Sequence, residues 1–294
     1  MIKAFRSLAI CSIGIALATA STAWAQTYTT IDFPGAVLTE LAGGPNPQGT
    51  SVGSYQDTSG VFHGFSLSSQ GVFTSFDPPG STFTVANYIT PEGMIVGQYN
   101  DSSSMSHGFL LYRGQYTTFN VTGAPGTALT GENPSGELSG FTCSDPACGT
   151  TGNPSTNQSF VVSKLGVITS FDPPGAVSDT ASTVNPSGTV VGSYTDSSGV
   201  THGYQLYHGT FTTDDFPGSI FTFNGGNNPQ GDIVGAYTDT SGVTHSFLLR
   251  QGVYTSFDPP GATFSDATGI NPSGVIVGVY GDASGVVHGF IRTP

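Results

Sequence analysis

The sequence predicts an all-β fold, a six-bladed β-propeller of four-stranded antiparallel blades whose last blade is closed by the N-terminal strand. Three observations predict it: a turn motif that recurs six times, strand-length apolar runs between the turns, and chain ends that each hold part of one unit. The motif is Asn-Pro-(Ser/Gln)-Gly at Asn46, Asn133, Asn185, Asn228 and Asn271, with Thr90-Pro91-Glu92-Gly93 as a variant. Intervals are 43 or 44 residues, except 52 from Asn133 to Asn185. A second marker keeps phase with it: His63-Gly64-Phe65, His107-Gly108-Phe109, Gln158-Ser159-Phe160, His202-Gly203-Tyr204, His245-Ser246-Phe247 and His288-Gly289-Phe290.

Within a unit the elements follow in order. The Pro and Gly of the first motif suit a tight turn. An apolar run such as 275–280 then reads as a strand, and Asp196-Ser197-Ser198-Gly199 turns the chain into the strand His202–Leu206. Arg250-Gln251-Gly252 turns it again into Val253–Phe257, which Asp258-Pro259-Pro260-Gly261 ends, because consecutive prolines donate no ladder hydrogen bonds. A weaker strand, 267–270, leads to the next Asn-Pro turn. Four antiparallel strands per ~43 residues match a propeller blade and exceed one coil of a parallel β-helix.

The chain starts mid-unit, Tyr28 to Gly35 corresponding to Tyr254 to Gly261, and stops after His288-Gly289-Phe290-Ile291-Arg292, where that same strand should follow. Pairing the two part-units removes two exposed edges at once. An open solenoid would need polar capping repeats, and none is visible.

Residues 1–25 read as a signal peptide: Lys3 and Arg6 precede an uncharged, largely apolar stretch, and Ala23-Trp24-Ala25 offers the small residues a signal peptidase accepts. Cleavage after Ala25 would leave one domain, residues 26–294, secreted or periplasmic, with no apolar segment long enough to anchor it in a membrane. The product keeps Arg113, Lys164, Arg250 and Arg292 against 19 Asp and Glu, four cations against nineteen anions, hence −15. So acidic a surface repels phosphate backbones, which argues against nucleic-acid partners. Cys143 and Cys148, the two cysteines left in an exported chain, are expected to form a disulfide.

Through its His-Gly-Phe segments, Asn-Pro-x-Gly turns and Val-Gly-x-Tyr runs, the chain resembles the bacterial extracellular HAF-repeat family, named for a His-Ala-Phe motif. The likeness covers essentially the whole mature chain, with Gly or Ser in place of the middle Ala. It implies an exported repeat protein and no particular reaction.

The in-phase histidines His63, His107, His202, His245 and His288 could suggest a ring of metal ligands. A residue needed once per blade is more simply a structural fastener, expected to make a blade-to-blade hydrogen bond. Asp57, Asp101, Asp196, Asp239 and Asp282 open the second turn, where a short carboxylate bonds backbone amides two residues on. They are also the candidates for calcium, the one cofactor considered. Asp32, Asp77, Asp172, Asp215 and Asp258 read as fixing the Pro-Gly loops, and His208 as solvent-exposed. Catalysis needs a departure from the repeat, and the third unit departs most, with Gln158 for His and Glu132 and Glu137 flanking one turn. Those two carboxylates are the candidates for general acid and base work. No Ser-His-Asp spacing, phosphate loop or metalloprotease helix appears. The leading expectation is therefore a monomeric, non-enzymatic binding or structural module with a protein or glycan partner. The alternatives are a hydrolase or lyase acting at the central channel and a calcium-stabilised scaffold.

Overall fold

The structure, a computed structural model, describes residues 26–150 and 155–294; the expected signal peptide lies outside them. Strand β1 (Thr27–Ile31) comes first. Blade 1 holds β2 (Leu38–Gly43), β3 (Ser51–Gln56), β4 (Phe62–Leu67) and β5 (Phe73–Phe76), and blade 2 holds β6 (Phe83–Ile89), β7 (Ile95–Asn100), β8 (Ser106–Tyr112) and β9 (Gln115–Phe119). Blade 3 is β10 (Gly126–Glu132), β11 (Leu138–Cys143), β12 (Asn157–Val162) and β13 (Ile168–Phe171); blade 4 is β14 (Ala176–Val184), β15 (Val190–Asp196), β16 (Thr201–Tyr207) and β17 (Thr210–Thr213). Blade 5 is β18 (Phe221–Asn227), β19 (Ile233–Thr238), β20 (Thr244–Arg250) and β21 (Val253–Phe257), and blade 6 opens with β22 (Phe264–Ile270), β23 (Ile276–Gly281) and β24 (Val287–Thr293).

Each blade is a four-stranded antiparallel sheet in chain order, and β1 supplies the fourth strand of blade 6, pairing Thr27 with Thr293 and Ile31 with Gly289. The first strands of successive blades touch in a ring, β2 meeting β6 on one side and β22 on the other. They are the innermost strands. Because the strands alternate in direction, the Asn-Pro turns fall on one face of the disc, called lower here. The Asp turns and the inter-blade loops fall on the upper face.

The core lies between blades. Phe65, Phe109, Phe160, Tyr204, Phe247 and Phe290, one per blade, are wholly buried. Each contributes roughly 2–3 kcal/mol through the apolar area it hides. Opposite each ring the second strand carries glycine: Gly97 pairs with Phe109 and Gly278 with Phe290. A Cβ at Gly278 would stand 2.7 Å from the Phe290 ring and 2.1 Å from the Asp266 carbonyl oxygen, so the Val-Gly-x-Tyr run needs glycine for close approach.

Candidate functional site

The repeated polar residues form a fastening on the upper face. In blade 1, His63 Nδ1 lies 2.7 Å from Asp77 Oδ2 and its Nε2 lies 3.5 Å from Asp57 Oδ2. Corresponding Nδ1 contacts join His202 to Asp215, His245 to Asp258 and His288 to Asp32 at 2.7–2.8 Å, while His107 meets Asn120 Oδ1. Each imidazole packs against the cross-strand tyrosine, as His63 does against Tyr55 at 5.1 Å between centroids, and that phenol reaches Ser75 on the fourth strand. One Tyr-His-Asp set therefore ties a blade's second, third and fourth strands to the loop leaving it. The bond runs within a blade, not to its neighbour as the repetition suggested, because the loop aspartate directly follows the strand that pairs with the histidine strand. In blade 3 Gln158 Nε2 donates to Asp172 Oδ2 at 3.0 Å in the histidine's stead.

The turn aspartates are engaged in the same fastening. Asp57 Oδ1 accepts the Ser59 N–H, the Ser59 hydroxyl and the Val61 N–H. Asp196, Asp239 and Asp282 repeat the arrangement through their Oδ1 atoms, and Asp101 repeats its two backbone bonds, to the Ser103 and Met105 N–H groups. The serine hydroxyl and backbone bonds hold Asp57, Asp196, Asp239 and Asp282 at a pKa of about 2. Burial alone would lower the pKa of His63, His202 and His288, but their aspartate partners outweigh it and raise all three. Among the described residues no group of three His, Cys, Asp or Glu side chains is placed to hold a metal ion.

On the lower face the Asn-Pro turns make a second ring. Asn271 Oδ1 accepts the Ser273 and Val275 N–H groups, capping its own turn, and its Nδ2 donates to the Pro45 carbonyl of blade 1 at 3.1 Å. Asn46, Asn133, Asn185 and Asn228 donate likewise to the next blade, at 3.2–3.5 Å. Five motif prolines, Pro91, Pro134, Pro186, Pro229 and Pro272, together with Pro45, which precedes the first motif, surround the lower mouth of the axial channel. Above them every inner strand carries a bulge, placing Ala42, Asn87, Thr130, Ser182, Gly225 and Thr268 around the axis. Such a bulge re-aims one side chain. Here Asn87, Thr130 and Thr268 use it to donate to the next blade's carbonyls at 2.7–2.8 Å.

Glu132 and Glu137 do not form an acid–base pair aimed at a shared cavity. Glu137 accepts from Asn133 Nδ2 at 2.7 Å, a bond within its own turn. Glu132 takes the position that Ile89, Val184 and Ile270 hold elsewhere, and no donor among the described residues reaches its buried Oε2. Burial, with Glu92 adding repulsion, pushes it up to about 7. The insertion of blade 3 lies on the upper face, where the Cys143–Cys148 disulfide closes it. It leans onto blade 2, Pro146 accepting the Ser106 N–H at 2.7 Å. His208 is exposed.

Sequence reasoning passed over the upper end of the axis. Two residues before each bulge residue the inner strands carry Glu40, Val85, Ala128, Thr180, Phe223 and Asp266, with no consensus. Between blades 5 and 6 this region opens into a groove of about 430 Å³, walled by Phe221, Phe223 and Phe264, with Thr238, Thr244 and Val279 beside them and Asp266 in its lining. Burial, then the Glu40 charge, pushes Asp266 up to about 7. Glu40 is itself raised by burial against a hydrogen bond from Ser54. The signal was present as variation at one strand position, but the inner strands are the least regular part of the repeat and the bulge hides their alignment.

No family model and no curated protein matches the chain. Solved propellers do resemble it. A putative TolB from Agrobacterium tumefaciens has a TM-score of 0.59 at 14% identity, covering 86% of this chain and 89% of that one. A lectin of Aleuria aurantia in complex with Fucα1-6GlcNAc has a TM-score of 0.53 at 11% identity, covering 86% and 91%. Another structure of that lectin, described as a six-bladed β-propeller with a novel fucose recognition mode, has a TM-score of 0.50 at 12% identity, covering 85% and 88%. At these identities the likeness is one of fold.

Proposed function

We propose that this chain is an exported, non-enzymatic binding module that receives its protein or glycan partner at the upper mouth of the propeller axis. One observation carries the reading: the side chains that repeat from blade to blade are engaged in fastening strands, whereas the position held by Glu40, Val85, Ala128, Thr180, Phe223 and Asp266 differs in every blade and, between blades 5 and 6, stands beside the half-buried Phe221 and Phe264. Variation concentrated in one concavity is what a single asymmetric ligand needs from a nearly symmetric scaffold. The disulfide supports an oxidising compartment, in keeping with a leader at residues 1–25. Fucose recognition is stated of the Aleuria lectin; here it makes a glycan a partner worth testing. Purified protein screened on glycan arrays and generic hydrolase substrates, with and without calcium, tests the reading. Saturable binding weakened by Phe223→Ala is expected. Turnover that disappears in Glu132→Gln or Glu137→Gln would replace it with the enzyme.

A further inference from the structure

We infer that the groove between blades 5 and 6 is a site for an aliphatic primary ammonium ion, its charge against Asp266 and its stem between the phenylalanines. The inference rests on the upper mouth being the binding face and names the chemistry received there.

Three observations carry it. Asp266 Oδ1 is shielded from solvent, and among the described residues no donor reaches it. A buried acceptor left without a donor costs roughly 1–3 kcal/mol, more when charged, so the protein leaves the carboxylate in the groove's lining without a compensating charge or donor at that atom. Phe221, Phe223 and Phe264 line the same groove, and aromatic faces beside a carboxylate attract an organic cation while sheltering its methylenes. Charge also selects. The nearest interacting charge is Glu40, a second anion, and the residues from blade 5 that line the groove, Phe221, Phe223, Ala236, Thr238 and Thr244, do not titrate, nor does Val279 of β23. An anionic ligand is therefore repelled and a neutral one leaves the carboxylate uncompensated.

The other candidates carry less. The His-Asp sets are satisfied among themselves, and the lower mouth presents prolines and amides already bonded to the next blade. Glu132 does not line that mouth.

The test is a titration of the full chain with n-pentylammonium, followed through amide chemical shifts, with 1-pentanol as the neutral isostere. Saturable shifts centred on Phe223, Thr238 and Asp266 are expected, and pentanol should bind about tenfold or more weakly. Asp266→Asn, which keeps the shape, should lose about tenfold or more in affinity, Phe223→Ala should weaken binding, and Glu137→Gln, on the opposite face, should bind as the parent does. For the parent protein, affinity should fall as pH is lowered from 8 to 6, because the protonated carboxyl loses its charge; in Asp266→Asn the profile should be flat. Equal binding of pentanol, an unaffected Asp266→Asn, or no saturation at millimolar amine would overturn the assignment. A flat amine titration alongside an array partner that needs Phe223 sinks only the ammonium site, whereas partner binding indifferent to Phe223 removes the upper mouth itself.

Discussion

The side-chain amide of Asn271 donates to the backbone carbonyl of Pro45, 226 positions away in sequence, at 3.1 Å. It is the closing member of the lower ring. One layer above, Thr268 Oγ1 donates to the Leu41 carbonyl in the same rotary sense. Blade 6 is thus joined to blade 1 by the same kind of bonds that join the blades between them.

Asn271→Ala removes two turn caps and one inter-blade bond. A loss of about 2 kcal/mol is expected, read as a lower denaturation midpoint. Asn271→Thr should cost less, since Thr90 still caps its turn by accepting the Met94 N–H at 3.1 Å. Equal losses for the two variants would mean that capping contributes nothing.

Deleting residues 27–35 takes away β1, which forms five backbone pairs with β24, and the Thr30 hydroxyl that meets the Tyr280 phenol at 2.9 Å. The bared strand edge should pair with other copies, giving a lower melting temperature and elution as aggregates. Monomeric elution with an unchanged midpoint would contradict the role given to β1.

Much of this was legible beforehand. The turns, the blade count, the terminal pairing and the disulfide follow from Asn-Pro-x-Gly, His-x-Phe and two cysteines, because each is a local signal repeated in phase or confined to one short loop. The upper mouth was not, since Glu40 and Asp266 become neighbours only where blade 6 closes against blade 1, from strands whose residue numbers differ by more than 200. Nothing local to either residue marks it. Glu132 and Glu137 stood out in sequence because they are rare, yet rarity on one turn does not bring two carboxylates to a common substrate.

Stability should peak near pH 4–5. Asp266, Asp179 and Glu132 are each raised by burial to about 7, so the stability their protonated forms carry is complete below the ordinary carboxylate range and lost as pH climbs through 7. His63, His202 and His288, raised above 6.5, act in the same direction and lose their contribution as pH passes through their elevated values. Asp57, Asp196, Asp239 and Asp282, lowered to about 2, stabilise above 3.8 and fail as pH falls through 2. A melting temperature about 5 °C or more lower at pH 8 than at pH 5 is expected. A curve rising steadily from pH 5 to 8 would contradict these assignments.

Glu132→Ile restores the side chain that Ile89 and Ile270 supply at that position. At pH 8 the variant should gain about 1 kcal/mol, after discounting for solvent screening, and less at pH 5 where the parent carboxyl is protonated. Thermal melts at both pH values check the sign and the difference.

Cys148→Ser opens the short loop closed by Cys143 and should cost about 2 kcal/mol in the chain-entropy account. Reductant should shift the melting of the parent by a similar amount and leave the variant untouched.

Thr90 has no amide to hand forward, and among the described residues no side-chain bond joins the lower turns of blades 2 and 3. The same two blades are clasped on the opposite side, where Pro146 of the insertion takes the Ser106 N–H. A torque that splays this joint would therefore meet no clip at its lower rim, only the Asn87 bond to the Leu129 carbonyl further in, while it stays pinned from above, whereas the neighbouring joints are riveted at the rim as well.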